Sequence, residues 1–257
     1  VTVLFSDDQP SLDWSEARRS AEEFGVKGAS ALALPRKWTL PFAVFSVDLI
    51  KEMSPSRRLS QLISDPDLTR IHALAADGSR LIVRSSVVGE SIWERGTYLS
   101  VDIAVDGAAF ADDINDAAHR VVESAKGKPC GLLVQKFVSP ASQGEFGNLQ
   151  RISKTRDQWE ISATDRSGGV TNLRLNSQRD AAADPEQPIL ARSGISQERL
   201  FGSVAAWLNN ELLRGKSQRV TCEWVTDNKH VKRRAIGTPY RRRIGTPLQC
   251  PDQRRGA

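Results

Sequence analysis

The sequence predicts an α+β fold. Helical and strand-like stretches follow one another without strict alternation, and several of the strand-like runs fall in hairpin-like pairs. The 257 residues, 39% hydrophobic and 26% charged, are enough to bury a substantial core. No run approaches the roughly 18 apolar residues of a spanning helix. The first twenty residues already carry Asp7, Asp8, Asp13, Glu16 and Arg18. Neither a membrane span nor a secretory signal is therefore expected.

The elements follow in order. Trp14 to Leu34 reads as a helix, a glycine-marked break at Gly25 to Gly28, and a second helix from about Ala29 that Pro35 stops. Leu40-Pro-Phe-Ala-Val-Phe-Ser-Val47 is rich in β-branched and aromatic residues and reads as a strand, followed by a polar helical stretch through Gln61. Arg80 to Val88 is a stronger strand, apolar from Leu81 on but for Arg84, Ser85 and Ser86. Phe110, Ile114, Ala117, Ala118, Val121 and Val122 recur at helical spacing up to Lys126, and Gly127 with Pro129 ends that helix. Gly131 to Val138 is a short buried strand, and Gln158 to Thr164 with Val170 to Leu175 form a strand pair. Polar Asn176 to Pro188 reads as a loop, Ser196 to Gly215 as a long helix, and Arg219 to Val225 as a last strand.

Charge divides the chain. Residues 232 to 257 hold eight Lys/Arg against Asp252 alone, a net of +7, leaving 28 basic and 30 acidic residues in Val1 to Val231. The folded body is thus expected over 1 to 231 and a basic, disordered tail over 232 to 257. The body is not built to grip a polyanion, so nucleic acid is not an expected partner. The tail repeats Ile236-Gly-Thr-Pro as Ile244-Gly-Thr-Pro and reads as a replaced or frame-shifted end. Cys130, Cys222 and Cys250 are widely spaced and never paired as C-x-x-C, which argues against a disulfide framework or zinc knuckle and for a reducing, cytoplasmic compartment.

Three segments place a charge where a packed core would not choose one. In Phe24-Gly-Val-Lys-Gly-Ala-Ser30, two glycines flank Lys27 ahead of a helix, where backbone N–H groups and an ammonium can meet a phosphate; a turn with a solvated lysine is the simpler alternative. Arg84 interrupts an apolar strand and needs either an internal carboxylate or a bound anion. Glu223, central in Val220-Thr-Cys-Glu-Trp-Val225, asks for a basic side chain or a divalent metal. The histidines at 72, 119 and 230 read as solvated surface residues, the tryptophans as core or core-edge residues, and Asp112 with Asp113 as a helix-start pair.

In this order the segments resemble the N-terminal nucleotide-binding domain of the pyruvate phosphate dikinase and phosphoenolpyruvate synthase family. Phe24-Gly-Val-Lys-Gly-Ala-Ser-Ala-Leu is similar to its G-G-K-G-A-x-L entry, Leu40-Pro-Phe-Ala-Val-Phe to its P-P-G-F-V-I strand, and Val83-Arg-Ser-Ser-Val-Val-Gly-Glu90 to its V-R-S-S-A-x-x-E segment. Arg95-Gly-Thr-Tyr-Leu-Ser100 is similar to A-G-Q-Y-x-S, Leu132-Leu-Val-Gln-Lys-Phe-Val138 to V-V-Q-x-M-V, and Cys222-Glu-Trp-Val-Thr-Asp227 to D-x-E-W/F-A-x-D. The resemblance covers roughly residues 20 to 231.

It implies an ATP-grasp fold with two subdomains around a cleft that binds ATP and Mg²⁺. Lys27 and Arg84 would be the catalytic, phosphate-holding pair, and Arg95, Gly96 and Thr97 would belong to a loop closing over the phosphates. Gln135 would sit at the adenine hinge, where main-chain groups read the base, and Glu223 would ligate the metal. The family's acidic residue two before that glutamate is Thr221 here, and its Q-x-R-P glutamine is Ala235. The phosphohistidine segment T-H-x-S-H and the pyruvate-binding barrel are not in this sequence. The expectation is an ATP-dependent kinase-type phosphotransferase that hands phosphate to a separate acceptor protein or domain. A degenerate nucleotide-binding regulatory module and a basic-tailed nucleic-acid or protein interaction factor remain as alternatives.

Overall fold

The computed structural model describes residues 2–8, 12, 14–34, 39–75, 80–90, 97–105, 107–137, 142–151, 157–165, 170–175, 221–226 and 231–234, the segments from 142 onward by their backbone. They form an α+β structure with two five-stranded sheets, both antiparallel throughout. Among the described residues no helix is long and apolar enough to cross a membrane.

The first sheet has the order β1-β2-β5-β3-β4, from β1 (Val3–Phe5), β2 (Phe42–Phe45), β3 (Arg80–Val87), β4 (Ser100–Ile103) and β5 (Cys130–Phe137). Its central strands are buried on both faces, which is why β2 and β5 read as continuous apolar runs. On one face Ala43, Phe45, Leu81, Val83, Leu132 and Val134 enter the main core with Ile114, Ala118 and Val121 of α5 (Phe110–Ser124). The same core takes in Leu49 of α2 (Val47–Lys51), Leu59 of α3 (Leu59–Leu62) and Ile71 of α4 (Asp65–Ala73). On the other face lies α1 (Trp14–Ala33), packed over β3, β5 and β2.

Local signals fix most of these elements. Ser46 caps α2, accepting from the Leu49 N–H at 3.3 Å, and Ser64 caps α4 ahead of Pro66, accepting from the Asp67 N–H at 3.2 Å. The polar stretch expected to be helical through Gln61 is thus broken into α2 and α3, with α4 a further helix beyond it. Inside the core Asn115 holds α3, taking the Ser60 N–H at 2.9 Å and bonding the Ser60 hydroxyl at 3.0 Å. His72 departs from the solvated histidine expected: it is half-buried, edge-on to the Phe110 ring at 5.1 Å between centroids. β1 and β4, too short to stand out alone, exist because β2 and β3 offer them paired edges. Arg70 ties β1 down, bonding Asp8 at 2.6 Å and lying 3.8 Å over the Phe5 ring; the Asp8 bond holds its guanidinium further above its ordinary range.

The second sheet has the order β10-β9-β6-β7-β8, from β6 (Ser142–Arg151), β7 (Asp157–Asp165), β8 (Val170–Leu175), β9 (Thr221–Thr226) and β10 (Val231–Arg234). β7, β8 and β9 match the expected strands. β6 is not among them, because its glycines and polar residues have little strand propensity of their own; pairing on both sides supplies what propensity does not. β10 runs across the point at which the basic tail was expected to begin. The expected loop 176–188, helix 196–215 and remainder of the tail lie outside the described residues, as do the side chains of the tryptophans.

α1 approaches β3 more closely than a side chain would allow. Gly25 has φ +70° and ψ 174°, a conformation open essentially to glycine alone, and it kinks the helix there. A Cβ on it would lie 1.6 Å from the carbonyl oxygen of Ser86. Gly25→Ala is expected to destabilise the fold by more than about 3 kcal/mol through strain and overlap together. Gly89→Ala, where φ is also positive at +71° but nothing lies within 4 Å, should cost only about 1 kcal/mol. Urea denaturation of the two variants checks the contrast.

Candidate functional site

The break in α1 puts Lys27 between two glycines that lie against the sheet. Gly28 donates its N–H to the buried Ser86 hydroxyl at 2.7 Å, so β3 holds the kink by a hydrogen bond as well as by contact. This also means that one of the backbone donors expected to face a phosphate is already engaged. Lys27 Nζ is bound by both carboxylate oxygens of Glu90, just past β3, with side-chain exposures of 14% and 5%.

Two further residues gather around that pair. The Tyr98 ring centroid lies 5.8 Å from Lys27 Nζ and 5.6 Å from Lys128 Nζ, and Lys128 donates to the Tyr98 hydroxyl at 2.9 Å. The Val88 N–H meets the Pro129 carbonyl at 2.9 Å, fixing the exit of β3 against the entry to β5. The cluster therefore stands at one end of the first sheet, where the α1 kink, β3, β4 and β5 meet.

Arg84 and Gln135 lie farther along the same sheet. In the β3–β5 register Arg84 pairs with Leu133 and Ile82 with Gln135, so strand alternation sets Arg84, Ser86, Leu133 and Gln135 on the α1 face. Arg84 is half-buried, with Nε and Nη1 shielded from water. Gln135 is completely buried, and neither its Oε1 nor its Nε2 has a hydrogen-bond partner among the described residues. An unmet buried polar group costs about 1–3 kcal/mol. A core position that tolerates such a group is a place to look for a ligand.

The remaining expected site residues are not brought to this cluster by anything described. Thr97 is exposed and precedes Tyr98 in the chain. Arg95 and Gly96 lie outside the described residues. Glu223 is on β9 in the second sheet, directly opposite Glu145 of β6 and Arg234 of β10. Thr221 pairs with Gly147. Among the described residues no three His, Cys, Asp or Glu gather as a metal site. Cys130 is buried, which pushes its thiol up from its ordinary range and keeps it protonated.

Sequence reasoning assigned no role to Glu90, Tyr98 or Lys128. Glu90 and Tyr98 stood only as positions in the segments similar to V-R-S-S-A-x-x-E and A-G-Q-Y-x-S, and Lys128 carried no signal; the proximity of the three exists only once β3, β4 and β5 are paired.

No family model matches the chain, and no curated protein matches it. Among solved structures the chain is similar to the D-alanyl-alanine synthetase A from Vibrio cholerae O1 biovar eltor str. N16961, with 9% sequence identity and a TM-score of 0.36. That likeness covers 68% of this chain and 47% of the synthetase chain, so this chain spans less than half of the length of the structure it matches.

Replacing the orphaned amide gives a direct reading of what it costs. Gln135→Met, which keeps the volume and removes both unmet polar atoms, is expected to stabilise the ligand-free protein by about 1–3 kcal/mol in urea denaturation. Ser86→Ala should do the reverse, leaving the Gly28 N–H buried without an acceptor and costing a similar amount.

Proposed function

We propose that this chain binds ATP on the α1 side of its first sheet. The observation that carries the reading is the placement of Lys27, Arg84 and Gln135, far apart in the sequence, along one face of one sheet. The three offer complementary chemistry. An ammonium serves a phosphate as a point charge, a guanidinium as a planar fork, and a carboxamide presents one donor and one acceptor to a base edge.

In this reading the fold is ATP-grasp-like, of the kind found in the dikinase and synthase nucleotide-binding domain that the sequence resembles, and the second sheet faces the first across the nucleotide. A Mg²⁺ ion takes only oxygen ligands and is commonly held by one or two carboxylates plus phosphates. The donor set of the second sheet fits that: Glu223 would hold the ion, with Glu145 at the facing register position in place of the acidic residue that Thr221 replaces. When bound, the ion would neutralise charge on the phosphates. Lys27 and Arg84 would orient them, Thr97 with Arg95 and Gly96 would close over them, and the transferred phosphate would pass to an acceptor on a separate polypeptide.

A second reading, a module that binds nucleotide without turnover, is favoured by two particulars: Thr221 stands where the family has a carboxylate, and a basic residue, Arg234, stands at the register position beside Glu223 on the strand opposite Glu145.

ATP with Mg²⁺ at about 100 times Kd should stabilise the chain by about 3 kcal/mol, read as a rise in Tm. Lys27→Ala and Arg84→Ala should each abolish that rise, and an unchanged rise in both, or none in the native chain, rejects the reading. Glu223→Gln separates its two forms: loss of phosphoryl transfer or ATP hydrolysis marks an enzyme, whereas no turnover in the native chain marks a binder.

A further inference from the structure

Lys27 is not standing in water awaiting a ligand. An ammonium has three donors, and Glu90 offers both of its oxygens to them in a pair almost removed from solvent. Such a pair is held by mutual neutralisation, and losing either partner leaves an uncompensated buried charge. A phosphate reaching for the same ammonium arrives beside a like charge.

Resting on the nucleotide-binding reading, we infer that Glu90 is a built-in substitute for the phosphate: it occupies Lys27 when no anion is bound and must turn away before a triphosphate can take the ammonium. The site is thereby self-inhibited at rest. The backbone before Glu90 permits that turn. Gly89 has φ +71° and open space on the side where a side chain would stand, and the Glu90 N–H reaches the Val87 carbonyl only at 3.5 Å. One residue earlier, Val88 is tied to Pro129 at 2.9 Å, so the movement begins at Gly89 and leaves β3 in place. Lys27 and Lys128 both lie against the Tyr98 ring, 5.8 and 5.6 Å from its centroid, so a polyphosphate that displaces Glu90 meets two ammonium groups there.

The test is calorimetric titration of the full chain with ATP and Mg²⁺. Glu90→Gln is expected to bind about tenfold more tightly than the native chain while melting at a lower temperature without nucleotide. Glu90→Asp, which keeps the charge and shortens the reach, should tighten binding by about threefold and serves if Glu90→Gln does not fold. Unchanged or weaker binding by the variant that folds overturns the gate. If in that case the native chain still binds ATP and Lys27→Met abolishes it, the nucleotide-binding reading survives. Absence of ATP binding in the native chain and every variant overturns both.

Discussion

The close seating of a kinked helix on a strand is the constraint on which the arrangement around the first sheet depends. Gly25 lets α1 approach the Ser86 carbonyl closer than any side chain permits, and Gly131 does the same on β5, where a Cβ would lie 2.4 Å from the Phe45 carbonyl oxygen and 3.0 Å from that of Phe24. Gly28 completes the contact, leaving a Cβ only 2.5 Å from Val44. With its backbone this near, the helix can bring Lys27 to the end of β3, and the Ser86 hydroxyl can reach the Gly28 N–H. Burial of Phe24, Ala29, Leu32, Val44 and Leu133 supplies the attraction.

Against that apolar packing the polar groups stand out. Ser85 and Ser86 are buried, Ser86 answering a backbone donor, and Glu90 with Lys27 forms a nearly dry ion pair. Gln135 is the departure that no described residue compensates. Natural sequences are consistent across levels nearly everywhere, so local violations of good packing concentrate where a ligand or a mechanism requires them. Ser86 and Gln135 share the α1 face of the first sheet and the Lys27–Glu90 pair stands at its end, which gives them more weight together than any one carries alone.

The second sheet sorts its residues by register. Cys222, Phe146, Ile161 and Leu173 form one cross-strand row, while Arg234, Glu223, Glu145, Ser162 and Asn172 form another on the alternate face. One row is apolar and the other charged or polar, which follows from the two-residue period of the strands. Glu223 therefore stands in register with Glu145 and Arg234, a juxtaposition that its own strand does not contain.

The sequence by itself determined the α+β class, the helix break at Gly25, the helix over 110–124, and β3, β5, β7, β8 and β9, because periodicity, caps and glycine conformations act within a few residues. It also singled out Lys27 and Arg84, each by a local breach of pattern, and Gln135 through a family resemblance. It was silent on β1, β4 and β6, whose residues have weak preferences and become strands only through their partners. Only the tertiary structure set Glu90, Tyr98 and Lys128 around Lys27, and Glu145 and Arg234 on either side of Glu223. Those meetings are made by strand order and register, which depend on long-range pairing that no short window of sequence contains.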